Sequence, residues 1–234
     1  MPAGFPPHHH NAEPPVRDAA CIVLIDRTGA EPRLLLGRRL PAQVFLPNKW
    51  VFPGGRVDEA DKAYAADLTR VAKLPPNAHH RLAFACAAIR ELYEEAGILL
   101  ASPDIVSWQA PQTWADFAGL AVTPAYERLT PLARAITPPG FPRRFDTWFF
   151  SAEWDRAAPV TGAPDGELLD LAWFTLAETR ALDLPIITRY IVDDVATLLA
   201  AAKDPAGPLI PFYFQDFDVY RRTLVPAYET AVLP

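Results

Sequence analysis

Glu91, Glu94 and Glu95 stand at i, i+3 and i+4 within the run Arg90, Glu91, Leu92, Tyr93, Glu94, Glu95, Ala96, Gly97, Ile98. On a helix that spacing gathers three carboxylates into an arc about 100° wide. Like charges so close repel one another at a few tenths of a kcal/mol per pair, and a hard divalent cation removes the cost. Mg²⁺ and Mn²⁺ favour oxygen ligands and bridge carboxylates to phosphate oxygens, so the first chemistry these residues suggest is metal-assisted attack on phosphorus. A solvated acidic helix face is the other use of the same pattern.

Such an arc works only if a helix holds it at the rim of a cleft. Residues 80–96 supply that helix, with Ala85, Ala88, Ile89, Leu92 and Ala96 as its apolar stripe and Gly97 as the glycine that ends it. Upstream, 19–26 and 33–38 flank a turn at Arg27, Thr28 and Gly29 and read as a β-hairpin. Trp50, Val51 and Phe52 form a short strand stopped by Pro53, Gly54 and Gly55, where the backbone can approach a site closely. A short helix is expected over 63–72, closed by Pro75 and Pro76. Beyond the acidic helix, 99–100 opens an extended piece and 112–120 and 126–135 read as short helices. Residues 145–152 and 172–174 read as strands, and 176–182 and 187–202 as helices. The alternation predicts one α/β domain over 16–234, preceded by a disordered tail over 1–15 in which His8, His9 and His10 are a solvated stretch. The end of the chain, 208–234, carries Phe212, Tyr213, Phe214, Phe217 and Tyr220 and is too aromatic for a free tail.

Half of the 234 residues are hydrophobic, enough for a packed core, and the net charge of −6 argues against a non-specific nucleic-acid binder. No apolar run approaches the roughly 20 residues of a membrane-spanning helix, and the opening residues lack the apolar core of a signal peptide. Cys21 and Cys86 are far apart and form no CxxC pair, which fits two reduced thiols. The last residues are not an SKL-type peroxisomal address, so a cytoplasmic location is expected.

Taken with Gly55, the acidic run resembles the Nudix box, G-x5-E-x7-R-E-U-x-E-E-x-G-U with U aliphatic. Every specified position from Arg90 to Ile98 matches. In the first half, Asp61 stands where the family has Glu, and 28 residues rather than seven separate it from Arg90. Loop closure grows only with the logarithm of length, so a fourfold longer connection costs about 1.2 kcal/mol and leaves the site feasible. An insertion within the box, about 62–80, resembles the branch of the family that holds coenzyme A diphosphatases. Arg17 to Ala20, Phe52 to Asp61 and Pro142 to Thr147 also fit that branch.

The resemblance implies a mixed sheet sandwiched between helices and a Nudix diphosphatase dependent on Mg²⁺ or Mn²⁺. It implies that Glu94 and Glu95 hold metal directly, that Glu91 holds a second ion or acts through water, and that the Gly55 carbonyl is a further ligand. Arg90 is expected to orient a carboxylate through paired hydrogen bonds. The general base in the family is a carboxylate of the box or of a later loop, and Glu167, ahead of Trp173, is the candidate outside the box. A diphosphate needs arginines, and Arg38, Arg39, Arg56, Arg143 and Arg144 lie near expected loop or strand ends. Arg38, Arg56 and Arg143, with Phe145 for an adenine ring, are the expected substrate contacts. Coenzyme A or its thioesters lead as substrate, cleaved to 3′,5′-ADP and phosphopantetheine or its acyl form. An ADP-ribose or NADH pyrophosphatase and a non-catalytic Nudix-like binding module are the alternatives. Expected partners are a small nucleoside diphosphate derivative and, from the family's habit, a second copy in a homodimer, with neither nucleic acid nor membrane.

Overall fold

In the computed structural model, described over residues 13–71, 78–102, 114–120, 122–155, 166–201, 209–216 and 219–227, strand β1 (Val16–Asp26) is the organising element. Ile22, Val23, Leu24 and Ile25 are all essentially inaccessible to solvent. A strand apolar at consecutive positions must be covered on both faces, because successive side chains point to opposite sides of a sheet. Ile22 and Leu24 indeed join one core and Val23 and Ile25 another.

Along one edge β1 runs parallel to β8 (Arg144–Glu153), paired from Val16 with Arg144 to Ile25 with Glu153. Its other edge changes neighbour partway. Strand β2 (Arg33–Arg39) pairs with Ile25 and Asp26, whereas Ala19, Ala20 and Cys21 pair with β4 (Gly54–Arg56). Strand β3 (Trp50–Val51) continues from β2, and β9 (Leu168–Thr175) also pairs with β2. On the far side β8 is followed by β7 (Thr130–Ile136), β10 (Leu209–Asp216) and the edge strand β11 (Val219–Pro226). The result is a nine-stranded mixed sheet, with β5 (Ala101–Ser102) and β6 (Thr123–Pro124) forming a separate small ladder.

Helices α1 (Glu59–Val71) and α2 (Ala78–Ala96) pack together over one face, and α5 (Ile186–Ala200) covers the other with Ile191, Val192 and Val195. Helix α2 departs from the narrow stripe expected of it, since every residue from Leu82 to Arg90 is buried. Its alanines at 83, 85, 87 and 88 let the sheet, α1 and the Trp114 to Phe117 segment close round it. Trp114 precedes α3 (Ala115–Gly119) and packs edge-on against Phe117 at 5.1 Å between ring centroids.

The expected hairpin, the strand at 50–52 and the strands at 145–152 and 172–174 are present, as are helices at 63–72, 80–96 and 187–202 within a few residues. The helix at 176–182 is reduced to α4 (Leu176–Thr179), started by a capping box in which Thr175 and Glu178 each bond the other's backbone N–H. Residues 126–135 do not form the expected α-helix. A 3-10 turn over Tyr126–Arg128 gives way to β7, whose Arg134 is buried against Asp146 of β8 at 2.8 Å from Nε to Oδ1. Ladder pairing to β8 and β10 outweighs the helix preference of its Ala and Leu residues. The aromatic end of the chain is the β10 and β11 hairpin. Residues 1–12 of the tail expected over 1–15, Pro75 and Pro76, and the start of the 112–120 helix lie outside the described residues.

Candidate active site

The site forms where β1 changes neighbour. Ile22 N–H donates to the Pro53 carbonyl at 2.9 Å, which bridges the gap between β4 and β2 and leads the chain into Gly54 and Gly55. Those glycines lie under the C-terminal half of α2. A Cβ on Gly54 would fall 2.4 Å from the Ala20 carbonyl oxygen and 2.5 Å from the Cys21 sulfur, so no side chain fits there. A Cβ on Gly55 would fall 2.3 Å from Oε1 of Glu91, so the bare backbone is what admits that carboxylate.

Arg90 is the hub. Its side chain is buried and all five of its N–H groups find acceptors. Nε and Nη2 donate to Asp61 at 3.0 and 2.9 Å, Nη1 donates to Glu91 at 2.9 Å and Glu94 at 2.7 Å, and Nη2 also donates to the Arg56 carbonyl at 2.9 Å. Charge-assisted contacts of this geometry are the strong ones, and Asp61, Glu91 and Glu94 hold the guanidinium charged despite burial. Arg90 thus holds two of the three box carboxylates, and its paired contact is with a different one, Asp61. Asp61 is fully buried and sits three residues into α1 from Asp58, whose N–H donates to its Oδ2 at 2.9 Å. One carboxylate therefore starts α1 and anchors the arginine.

Glu95 is turned to the loop, accepting the Gly54 N–H at 2.8 Å, and is 2% exposed. Burial, followed by the neighbouring Glu94 and Glu167 charges, pushes the Glu91 carboxyl up to about 7 against the pull of Arg90. Cys21, below Gly54, has its thiol pushed up by burial and by Glu95 and Glu91, so it is a neutral neighbour and not a nucleophile. As arranged, no three His, Cys, Asp or Glu side chains among the described residues converge on one point as metal ligands. Arg90 and Gly54 hold the carboxylates at adjacent places instead. The donor chemistry nevertheless suits a hard cation: carboxylate oxygens only, with one carboxyl whose ionisation its neighbours oppose.

Glu167, immediately before β9, is exposed and lies within electrostatic reach of Glu91 and Arg39. Arg39 was placed by its sequence only among the arginines near strand ends. It is half-buried, donates from Nε to the Phe45 carbonyl at 2.9 Å, and feels Glu95, Glu167 and Arg143. Phe145 meets the edge of Phe45 at 5.2 Å, and Phe141 meets Phe45 at 6.2 Å. Phe45 carries no sequence signal of its own; its role comes from the loop that returns β2 to β3. Arg56 contributes its backbone to Arg90, while its exposed guanidinium stands 3.9 Å from Asp58. Arg38 is bound to Asp170, with Nε and Nη2 at 2.8 and 2.5 Å from Oδ2. Arg144 is engaged by Glu13 at 2.6 Å and the Thr137 carbonyl at 3.1 Å.

No family model matches the chain. It is 34% identical over 145 residues to the putative nudix hydrolase 7 of Caenorhabditis elegans, covering 57% of this chain and 43% of that protein. To the human acyl-coenzyme A diphosphatase NUDT19 it is 29% identical over 204 residues, covering 62% of this chain and 54% of that protein. The chain thus spans about half the length of these curated relatives. Among solved structures it resembles a NUDIX hydrolase from Alicyclobacillus acidocaldarius, with a TM-score of 0.61, 25% identity, and coverage of 83% of this chain and 99% of that one. With the mixed sheet between helices, the acidic motif on α2 and the glycine pair beneath it, the chain is similar in sequence and in fold to Nudix hydrolases.

Proposed function

We propose that this protein is a Nudix diphosphatase that hydrolyses the diphosphate linkage of a nucleoside diphosphate derivative with Mg²⁺ or Mn²⁺. The observation that carries the reading is Arg90 with every donor engaged, since it fixes Glu91 and Glu94 beside a loop that Glu95 holds. Pre-set anions of this kind are what a cation between protein and diphosphate needs. Glu94 and Glu95 would hold the metal, with Glu91 and the Gly55 carbonyl as further ligands. When bound, the metal neutralises diphosphate charge and acidifies a coordinated water. Arg90 keeps the carboxylates in place without touching substrate, because it has no donor to spare. Glu167, within electrostatic reach of Glu91, would take the proton of the attacking water. Arg39, Arg143 and the Phe45 and Phe145 rings would receive a phosphate and an adenine, a role that the nearness of the two arginines and the ring contact support.

Coenzyme A or an acyl-CoA is the substrate we favour, supported by the likeness to a protein named as an acyl-coenzyme A diphosphatase. The test is incubation with Mg²⁺ or Mn²⁺ and coenzyme A, acyl-CoA, ADP-ribose, NADH and diadenosine polyphosphates, with products identified by mass. Release of 3′,5′-ADP from coenzyme A or its thioesters alone supports the reading. Cleavage of ADP-ribose or NADH instead would keep the chemistry and replace the substrate, and no cleavage at all would leave a binding module. Glu94→Gln should lower kcat by at least about a hundredfold while the circular dichroism spectrum stays native; near-normal turnover would remove Glu94 from the metal set.

A further inference from the structure

Strands β2 and β9 pair in register from Arg33 with Thr175 to Leu36 with Ala172, then shift, so that Arg38 faces Leu169 and Arg39 faces Leu168. Two residues, Asp170 and Leu171, stand opposite the single residue Gly37. That is a β-bulge, a device that re-aims the strand beyond it. Asp170 occupies the left-handed region at φ 52°, the place a glycine holds in the common form of this bulge. Three residues apart, Leu168 and Leu171 would point to opposite faces of a regular strand. Here both lie over Gly37, whose Cβ would fall 2.8 Å from Cδ1 of Leu168 and 3.1 Å from Cδ2 of Leu171. The bulge thus flips the first residues of β9, and Glu167 is the residue immediately before them.

Resting on the diphosphatase reading, we propose that Arg38 and Asp170 form a latch that locks this bulge and thereby sets where Glu167 stands relative to the carboxylates of α2. Arg38 is then a positioning residue and not a substrate contact. Its guanidinium puts two donors on one oxygen of Asp170, which holds a side chain from the strained residue to the neighbouring strand. Both partners are substantially exposed, 37% and 55%, and exposed ion pairs contribute little to stability, so what the contact supplies is geometry. A second tether agrees: Gln43, on the loop after β2, donates from Nε2 to the Glu167 carbonyl at 3.3 Å. Glu167 acts electrostatically on Glu91 and Arg39 from the place so fixed.

Arg38→Ala, Asp170→Gly and the double variant test this, Asp170→Gly being chosen because glycine keeps the bulge without strain. Each single variant should lose about ten- to a hundredfold in kcat, the scale of a misplaced group, with KM held within about twofold. The double variant should be no worse than either single. In a Glu167→Gln background Arg38→Ala should have no further effect, because the group it positions is gone. A rise in KM with kcat intact in Arg38→Ala alone would make Arg38 a substrate contact and overturn the latch, as would a further loss in the Glu167→Gln background. Crystal structures of wild type and Asp170→Gly give a readout independent of turnover. Displacement of Glu167 from α2 by about 1 Å or more upholds the latch even if the protein cleaves no diphosphate, whereas an unmoved Glu167 overturns it.

Discussion

At the scale of the residue, the site is organised by one arginine and the acids around it. Removing Arg90 would strand Asp61, a carboxylate with no access to water, and breaking one side of a buried ion pair costs about 3–5 kcal/mol. Arg90→Ala should therefore shift urea unfolding by that amount, while Arg90→Lys, which cannot place donors on Asp61, Glu91, Glu94 and the Arg56 carbonyl together, should recover only part of it. The spacing of Arg90, Glu91, Glu94 and Glu95 was legible in the sequence because a helix converts spacing directly into direction. Asp61 was legible as a position in the box and not as the anchor of Arg90, because that contact depends on α1 folding back onto α2. Arg38 shows the converse: an arginine near a strand end reads as a phosphate contact, and only the register of β2 against β9 brings Asp170 to it.

At the scale of the element, β7 is the instructive case. Its sequence, Thr-Pro-Leu-Ala-Arg-Ala-Ile, has helix formers at its centre, yet it runs between β8 and β10 with Arg134 sandwiched by Trp148 and Phe212 at 5.8 and 5.0 Å. Long-range pairing decides its state, and no local pattern carries that information. Because Arg134 and Asp146 are both buried, Asp146→Ala should destabilise by about 3–5 kcal/mol. Substituting the exposed partner Glu153 of Arg27 should change stability by less than about 1 kcal/mol, a contrast measurable by chemical denaturation. The acidic helix was legible for the opposite reason, with its cap glycine, alanine run and charges all lying within one local stretch.

At the scale of the whole molecule, the proposed cation binding should be linked to folding through Glu91. Its folded pKa, about 7, lies above the ordinary 4.5, so the folded state holds that proton more tightly than the unfolded chain. The stabilising effect is complete below about 4.5 and is lost as pH rises through 7. Without metal, the wild type should therefore lose stability relative to Glu91→Gln between pH 5 and 8, as read from their urea midpoints. Mg²⁺ should restore the wild type at pH 8 and do little at pH 5, because a cation binds the ionised form. The two cores on either side of β1 make this a property of the entire fold, since α2 is buried on all sides along its middle and cannot shift alone. The 28 residues between Asp61 and Arg90 belong to the same logic: most of α1 lies within them, and Tyr64, Ala65 and Leu68 of that helix are core.

The complete engagement of Arg90 has one more consequence. An Nε proton held by a buried carboxylate is shielded from exchange with solvent, so the Arg90 Nε–H should give a side-chain resonance that persists at neutral pH. Since the same guanidinium bonds Glu91 and Glu94, that single line would register any cation that draws those carboxylates away. Loss or shift of that line on adding Mg²⁺ would thus report cation binding at the proposed site without label or substrate.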